Sequence, residues 1–220
     1  MNSESDLNSP TVPVVPGEPA PAQSSNSSLW ETVKFILLAV VIVVPIRLFI
    51  AQPFIVDGLS MYPTFNDRDY LIVDELTYRF KDPARGDVLV FQYPCPNTEV
   101  TNANDCPSTK YYIKRIIGLP GDTVITSAGK DVIIKNAAHP EGVDLPEAYI
   151  PVREQPGSYP SETVTLGADQ YFVMGDNRPN SSDSRIWGVL DRKYFVGRPM
   201  LRLFPFKSIS AYPGEQTEPQ

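Results

Sequence analysis

The sequence predicts a mainly β, loop-rich protein preceded by one apolar helix. Seven short runs are enriched in Val, Ile, Tyr and Phe, and turn sequences such as Arg85-Gly86-Asp87, Pro120-Gly121-Asp122 and Gly175-Asp176-Asn177 separate them. Hydrophobic residues make up 42% and aromatic residues 10% of a chain that also holds 23 prolines, which suits short strands better than a helical bundle. One stretch, Phe35 to Ala51, is almost wholly apolar. At 220 residues the chain is long enough for one anchored domain with a sizeable core and a smaller subdomain.

Residues 1–29 are rich in Ser, Pro and Asn and read as disordered. The apolar run that follows, FILLAVVIVVPIRLFIA, has only twelve residues between the charges of Lys34 and Arg47. That is short against the roughly 20 residues a helix needs to cross the hydrocarbon core. A cleaved signal peptide fits poorly, because residues 1–29 carry Glu4, Asp6 and Glu18 but no lysine or arginine, and no small-x-small site follows. A buried core helix is the other alternative. The membrane span, over residues 30–51, is favoured: Arg47 sits near one end and can snorkel, extending the apolar length through Ile50, and Trp30 marks the opposite interface. Charge alone does not orient it, since Lys34 and Arg47 nearly cancel.

The predicted strands are Asp69–Val73, Asp87–Gln92, Lys110–Ile117, Asp122–Thr126, Asp131–Lys135, Gln170–Met174 and Phe195–Phe204, within a domain spanning 52–210. A Pro/Gly-punctuated region of weaker strand character, about 126–169, reads as a subdomain inserted into the main β unit. Residues 211–220 read as a disordered tail. The net charge of −7 and the lack of a lysine/arginine cluster point away from nucleic acid. Two cysteines and one histidine, not at ligand spacing, make no metal site, and no glycine-rich phosphate loop suggests a cofactor.

Ser60, in Gly58-Leu59-Ser60-Met61-Tyr62-Pro63-Thr64, follows an extended stretch from Pro53 to Asp57 and precedes a proline that biases Tyr62 towards an extended backbone. Most serines in turns are surface hydroxyls. A nucleophilic serine needs a base, and the one imidazole, His139, lies in a polar turn-rich stretch. A lysine is the better candidate. Most strand lysines point to solvent, but Lys114 shares its face with Tyr112 and Ile116 while Ile113 and Ile117 line the other, so both faces are apolar save for Arg115. An amine so placed loses hydration, its pKa falls, and it can act as a general base. Gly175 to Arg185 concentrates hydroxyls, carboxylates and guanidiniums; as a polar hairpin loop it would be unremarked, but it also suits a network that orients an amine, its two arginines pairing with Asp176 or Asp183.

Five ordered segments resemble the type I signal peptidases, membrane-bound serine–lysine proteases that remove signal peptides from exported proteins. They are Ser60 to Thr64, Asp69 to Val73, Arg85 to Val88, Lys114 to Asp122 and Gly175 to Arg185, and the resemblance runs from about residue 30 to 206. It implies an antiparallel β catalytic core with an inserted smaller β subdomain behind one transmembrane helix. Ser60 would attack the scissile carbonyl and Lys114 would take its proton. Ser181 would hydrogen-bond the lysine amine, with Asp183 and Arg185 supporting the site. The Ser60 N–H would bind the oxyanion; some members add a serine hydroxyl two residues earlier, where this chain, like other members, has Gly58. The substrate would add as a strand beside Pro53–Asp57 and Lys110–Lys114, with Phe54, Val56, Tyr112 and Ile113 walling shallow pockets for small side chains such as alanine. The partners implied are signal peptides of secreted preproteins and the lipid bilayer, with the catalytic domain on the outer side and Ser60 near the bilayer surface. In that oxidising compartment Cys95 and Cys106, which bracket a polar loop, should form a disulfide contributing about 3 kcal/mol.

Two other readings compete. A self-cleaving repressor-type protease also pairs serine with lysine on a related β fold, but it lacks an anchor and carries a DNA-binding module. In a non-enzymatic membrane-anchored β module, Ser60 and Lys114 would be incidental.

Overall fold

The computed structural model describes residues 25–49, 51–94, 110–127, 132–150 and 161–215. The chain divides into two units, Met1–Ile42 and Val43–Gln220. Helix α1 (Ser25–Phe49) takes up the apolar run. Its side chains from Leu29 to Val44 are exposed, and the apolar ones stand on every side of the helix, so it shows none of the burial of a core helix. Among the described residues no helix is long and apolar enough to cross a membrane. The twelve charge-free residues between Lys34 and Arg47 rise only about 18 Å as a helix, against roughly 30 Å of hydrocarbon.

The remaining elements are short strands. They are β1 (Ala51–Ile55), β2 (Tyr70–Asp74), β3 (Val88–Gln92), β4 (Tyr111–Gly118), β5 (Thr123–Thr126), β6 (Ile133–Lys135), β7 (Val143–Asp144), β8 (Glu162–Thr165), β9 (Gln170–Met174), β10 (Leu190–Asp191), β11 (Phe195–Phe204) and β12 (Ser210–Ala211). One-turn helices α2 (Thr77–Phe80) and α3 (Ser184–Trp187) interrupt them. All seven strands expected from the sequence form, each within two residues of its expected ends. β1 overlaps the extended stretch expected from Pro53 to Asp57, and of the strands not expected, β7, β10 and β12 have only two residues and β8 has four.

The pairing is antiparallel throughout and makes two sheets. The larger runs β1-β2-β11-β3-β4-β9-β10 with β12 beside β11, and the smaller runs β7-β6-β5-β8. The smaller sheet is inserted between β4 and β9 and starts at Thr123, one strand ahead of the boundary expected near 126. Two of the open strand edges among the described residues border the site. β1 pairs with β2 alone, an edge position that tolerates Pro53, which has no N–H to donate. β9 covers β4 only from Arg115 onwards, which leaves the edge of Tyr111–Lys114 unpaired on that side.

Three apolar clusters hold the domain. Val56, Met61, Phe65, Leu71 and Val88 pack under the β1–β2 connection. Leu89, Phe91, Ile116, Tyr171 and Val173 fill the centre of the larger sheet. Ile117, Val124, Ile134, Leu166 and Phe172 seat the smaller sheet on the far end of β4. Gly118 sits at that seat: a Cβ there would lie 2.5 Å from Val124 Cγ2 and 2.7 Å from Leu166 Cδ1. Gly118→Ala should therefore cost about 1–3 kcal/mol by overpacking, read as a lower urea midpoint with an unchanged slope. An unchanged midpoint would mean that the two sheets are not packed tightly here.

Candidate active site

Ser60 stands at the head of a loop that the core holds by its next residues. Met61 and Phe65 are fully buried, and Phe65 N donates to Met61 O at 2.9 Å. Gly58, with φ of +91°, makes the turn into the loop, a backbone conformation in which a side chain is strained. Its N–H donates to Asp67 Oδ1 at 2.8 Å and so is already engaged within the loop. From the other side Asn177 N donates to Ser60 O and Asn177 Nδ2 to Leu59 O, both at 3.0 Å. Gly175 passes so close that a Cβ there would meet Ser60 O at 2.4 Å.

Lys114 lies on β4 opposite Leu89 and is only 4% exposed. Its Nζ donates to Ser60 Oγ at 2.7 Å and to Ile113 O at 2.9 Å, and lies 5.3 Å from the centre of the Tyr112 ring. Burial pushes the amine down to about 8, against the opposing pull of the Asp183 and Asp176 carboxylates and with help from Arg185. Desolvation among apolar neighbours, expected from the sequence, is thus the dominant influence.

Arg115, the next residue, points to the opposite face of the strand and is fully buried. Its Nε and Nη2 grip both oxygens of Asp176, at 2.8 and 2.6 Å, and its Nη1 donates to Gly86 O and Gly214 O. Thr64 Oγ1 donates to Asp176 Oδ2, which ties the Ser60 loop to the same carboxylate. The Tyr149 ring lies 4.0 Å from the Arg115 guanidinium carbon. Tyr149 also donates to Glu147 at 2.8 Å, and Glu147 pairs with Arg178.

Asp183 caps α3 and is fully buried. Its carboxylate accepts from Arg185 Nε and Nη2, both at 2.7 Å, from the Arg185 N–H and from Gly175 N. Of the pairings expected within the loop, Arg185 with Asp183 forms, while Arg178 and Asp176 find partners outside it. Arg185 takes Asp183, Arg178 takes Glu147, and Asp176 belongs to Arg115. Ser181 Oγ is buried with no hydrogen-bond partner among the described residues, so the bond expected between Ser181 and the Lys114 amine is not formed here.

Ser60 and Lys114 open into a cleft of about 410 Å³ lined by Phe54, Val56, Tyr112 and Ile113, the four side chains expected as pocket walls. The two open strand edges belong to this cleft, since residues of both β1 and 111–114 line it. Ser182, not singled out from the sequence, also lines it. His139 sits in an exposed turn closed by Asn136. Cys95 and Cys106 lie outside the described residues. Among the described residues no group of three or more His, Cys, Asp and Glu side chains could hold a metal ion. Nothing in the residues pointed directly to Glu147 or Tyr149; for Arg115 the pointer was a lone guanidinium in an otherwise apolar strand.

Residues 29–204 match the family model described as signal peptidase, peptidase S26. The chain is 39% identical over 206 residues to a signal peptidase I of Leptolyngbya laminosa, covering 93% of this chain and 94% of that one. It is 37% identical over 184 residues to a probable signal peptidase I-2 of Synechocystis, covering 83% and 77%. It is 34% identical over 195 residues to signal peptidase I S of Bacillus subtilis, covering 84% and 95%. The chain belongs to the signal peptidase family, peptidase S26, and is a serine peptidase of the signal peptidase I type.

Proposed function

We propose that this protein removes signal peptides from preproteins with Ser60 as nucleophile and Lys114 as general base. The observation that carries this reading is the 2.7 Å contact between Lys114 Nζ and Ser60 Oγ in a setting that lowers the amine to about 8. In the neutral amine the Nζ lone pair accepts the Ser60 proton as Oγ attacks the scissile carbonyl. The resulting ammonium protonates the departing amine. A water then gives a proton to Lys114 as its oxygen bonds the acyl carbon, and the ammonium returns that proton to Ser60 Oγ as the bond to the acyl group breaks, which restores the neutral amine. The Ser60 N–H serves the oxyanion, while the Gly58 N–H is occupied by Asp67. Asp183 and Arg185 hold the backbone of the loop behind the amine, and Ser181 stands buried beside Gly175. The substrate strand adds along the open edges of β1 and β4, with its small side chains, alanine-x-alanine in type, directed at Phe54, Val56, Tyr112 and Ile113.

Helix α1 serves as a single membrane anchor with the catalytic domain on the outer side. Its all-round apolar surface supports this, and snorkelling of Arg47 lengthens the apolar stretch. In that compartment Cys95 and Cys106 form a disulfide. The full chain should then stay with the membrane fraction through a high-salt wash, while a chain starting at Ala51 should be released. Thiol labelling of unreduced membranes should find neither cysteine. Release of the full chain by salt, or two reactive thiols, would contradict the anchor or the outward orientation respectively.

Purified protein should cut a peptide carrying an alanine-x-alanine site in trans, which neither a self-cleaving repressor nor a non-enzymatic module would do. Ser60→Ala and Lys114→Met should lower turnover by roughly 100- to 10,000-fold. Lys114→Met also removes a buried amine, so its thermal transition should hold or rise. His139→Ala should keep full activity. For the parent protein kcat/KM should rise about tenfold per pH unit on the acid side and level off above about 8, because only the neutral amine is a base. An inactive His139→Ala beside an active Lys114→Met would replace the lysine with a histidine mechanism.

A further inference from the structure

Among the described residues, the charged side chains that line the cleft are Asp57, Lys110 and Lys114. They are sorted along its length. Successive antiparallel pairings link β1 to β4 through β2, β11 and β3, so β1 and β4 run in the same direction. The Phe54 and Tyr111 rings meet edge to face with centres 5.3 Å apart, which sets these two residues level across the cleft. Lys110 therefore belongs to the end where β1 begins. Asp57 and Lys114 belong to the other end, where Lys114 Nζ meets Ser60 Oγ.

Asp57 is exposed to the cleft and enters no hydrogen bond or ion pair among the described residues. The nearest cation along the backbone is spoken for. Arg68 donates its N–H to Val56 O at 2.9 Å, but its Nε lies 3.5 Å from Asp67 Oδ2, and that pair carries no net charge. The loop after β9 contributes Ser182 to the cleft, an exposed and neutral hydroxyl. With Lys114 in its neutral, basic form, the uncompensated charge at the Ser60 end is that of Asp57.

A bound peptide meets these charges in a fixed order, given the peptidase reading above, on which this inference rests. Its upstream side chains lie against Phe54, Val56, Tyr112 and Ile113, and its scissile carbonyl lies at Ser60 Oγ. The residue after that bond then passes Lys114 and comes to Asp57 and Ser182. There Asp57 attracts a cationic side chain and repels an acidic one. Lys114 acts in the same sense. A carboxylate beside it favours the charged amine, whereas a guanidinium favours the neutral amine that serves as base. The exposed Lys110 ammonium lies 5.7 Å from the Tyr112 ring, against a wall for upstream residues, and its charge bears on those.

We propose that Asp57 sets specificity on the leaving side of the cut: it selects a cationic side chain in the residue that follows the scissile bond and disfavours an acidic one. The test uses the full chain in detergent and three peptides that differ only at that residue, carrying Arg, Gln or Glu. At pH 9 Lys114 is mostly neutral, so the charge of Asp57 is read with little contribution from the amine. There kcat/KM should fall in the order Arg, Gln, Glu, with Arg above Glu about three- to tenfold. In Asp57→Asn that ratio should drop below about twofold, and in Asp57→Lys it should invert. Asp57→Glu, which keeps the charge, should keep the order. Equal rates for the three peptides in the parent protein overturn the proposal and leave the peptidase reading intact. So does a ratio that survives in Asp57→Asn, or one that is lost in Lys110→Gln instead. An Asp57→Asn protein that cuts none of the three also overturns it, since Asp57 would then do more than select charge. Failure of the parent protein to cut any of them overturns both readings.

Discussion

The arrangement of this domain turns on one fully buried ion pair, Arg115 with Asp176. Five segments of chain meet there: β4, the loop after β9, the Ser60 loop through Thr64, and the carbonyls of Gly86 and Gly214. Tyr149, from the stretch before β8, covers the guanidinium. Removing one partner of such a pair strands the other charge, at a typical cost of about 3–5 kcal/mol. The pair is thus less a source of net stability than a constraint. The strand that carries Lys114, the loop that carries Ser60 and the loop after β9 are all tied to the same two side chains.

That constraint accounts for the lysine. Successive residues of a strand face opposite ways, so Arg115 gripped on one face holds Lys114 to the other. There the amine meets Ser60 Oγ and its own neighbour's carbonyl, with Tyr112 alongside. Asp183 sits close enough to raise the amine's affinity for a proton, but Arg185 takes two bonds to that carboxylate and blunts its effect. Desolvation then prevails.

Much of this was legible in the residues. β4, at eight residues, is long enough for its apolar character to mark it, and the apolar neighbours of Lys114 predicted its lowered proton affinity. Phe54, Val56, Tyr112 and Ile113 do come together in one cleft. What was not legible depended on contacts between segments far apart in the chain. Glu147 and Arg178 are separated by 31 positions, and Glu147 lies in a region of weak strand character. Gly175 gives no local sign that Ser60 O and Ser181 Oγ crowd it. The Ser181 hydroxyl shows the same limit from the other side, since nearness in a motif does not fix which partner a rotatable O–H finds.

Burial brings the Lys114 amine into equilibrium with its neutral form near pH 8. The most direct test is an NMR titration of the full chain in micelles with lysine side chains labelled at Cε, assigned by comparison with Lys114→Met. One resonance, absent from the variant, should titrate near 8. If that resonance instead titrates near the ordinary lysine value of about 10.4, Lys114 is charged at working pH and the base must be sought elsewhere.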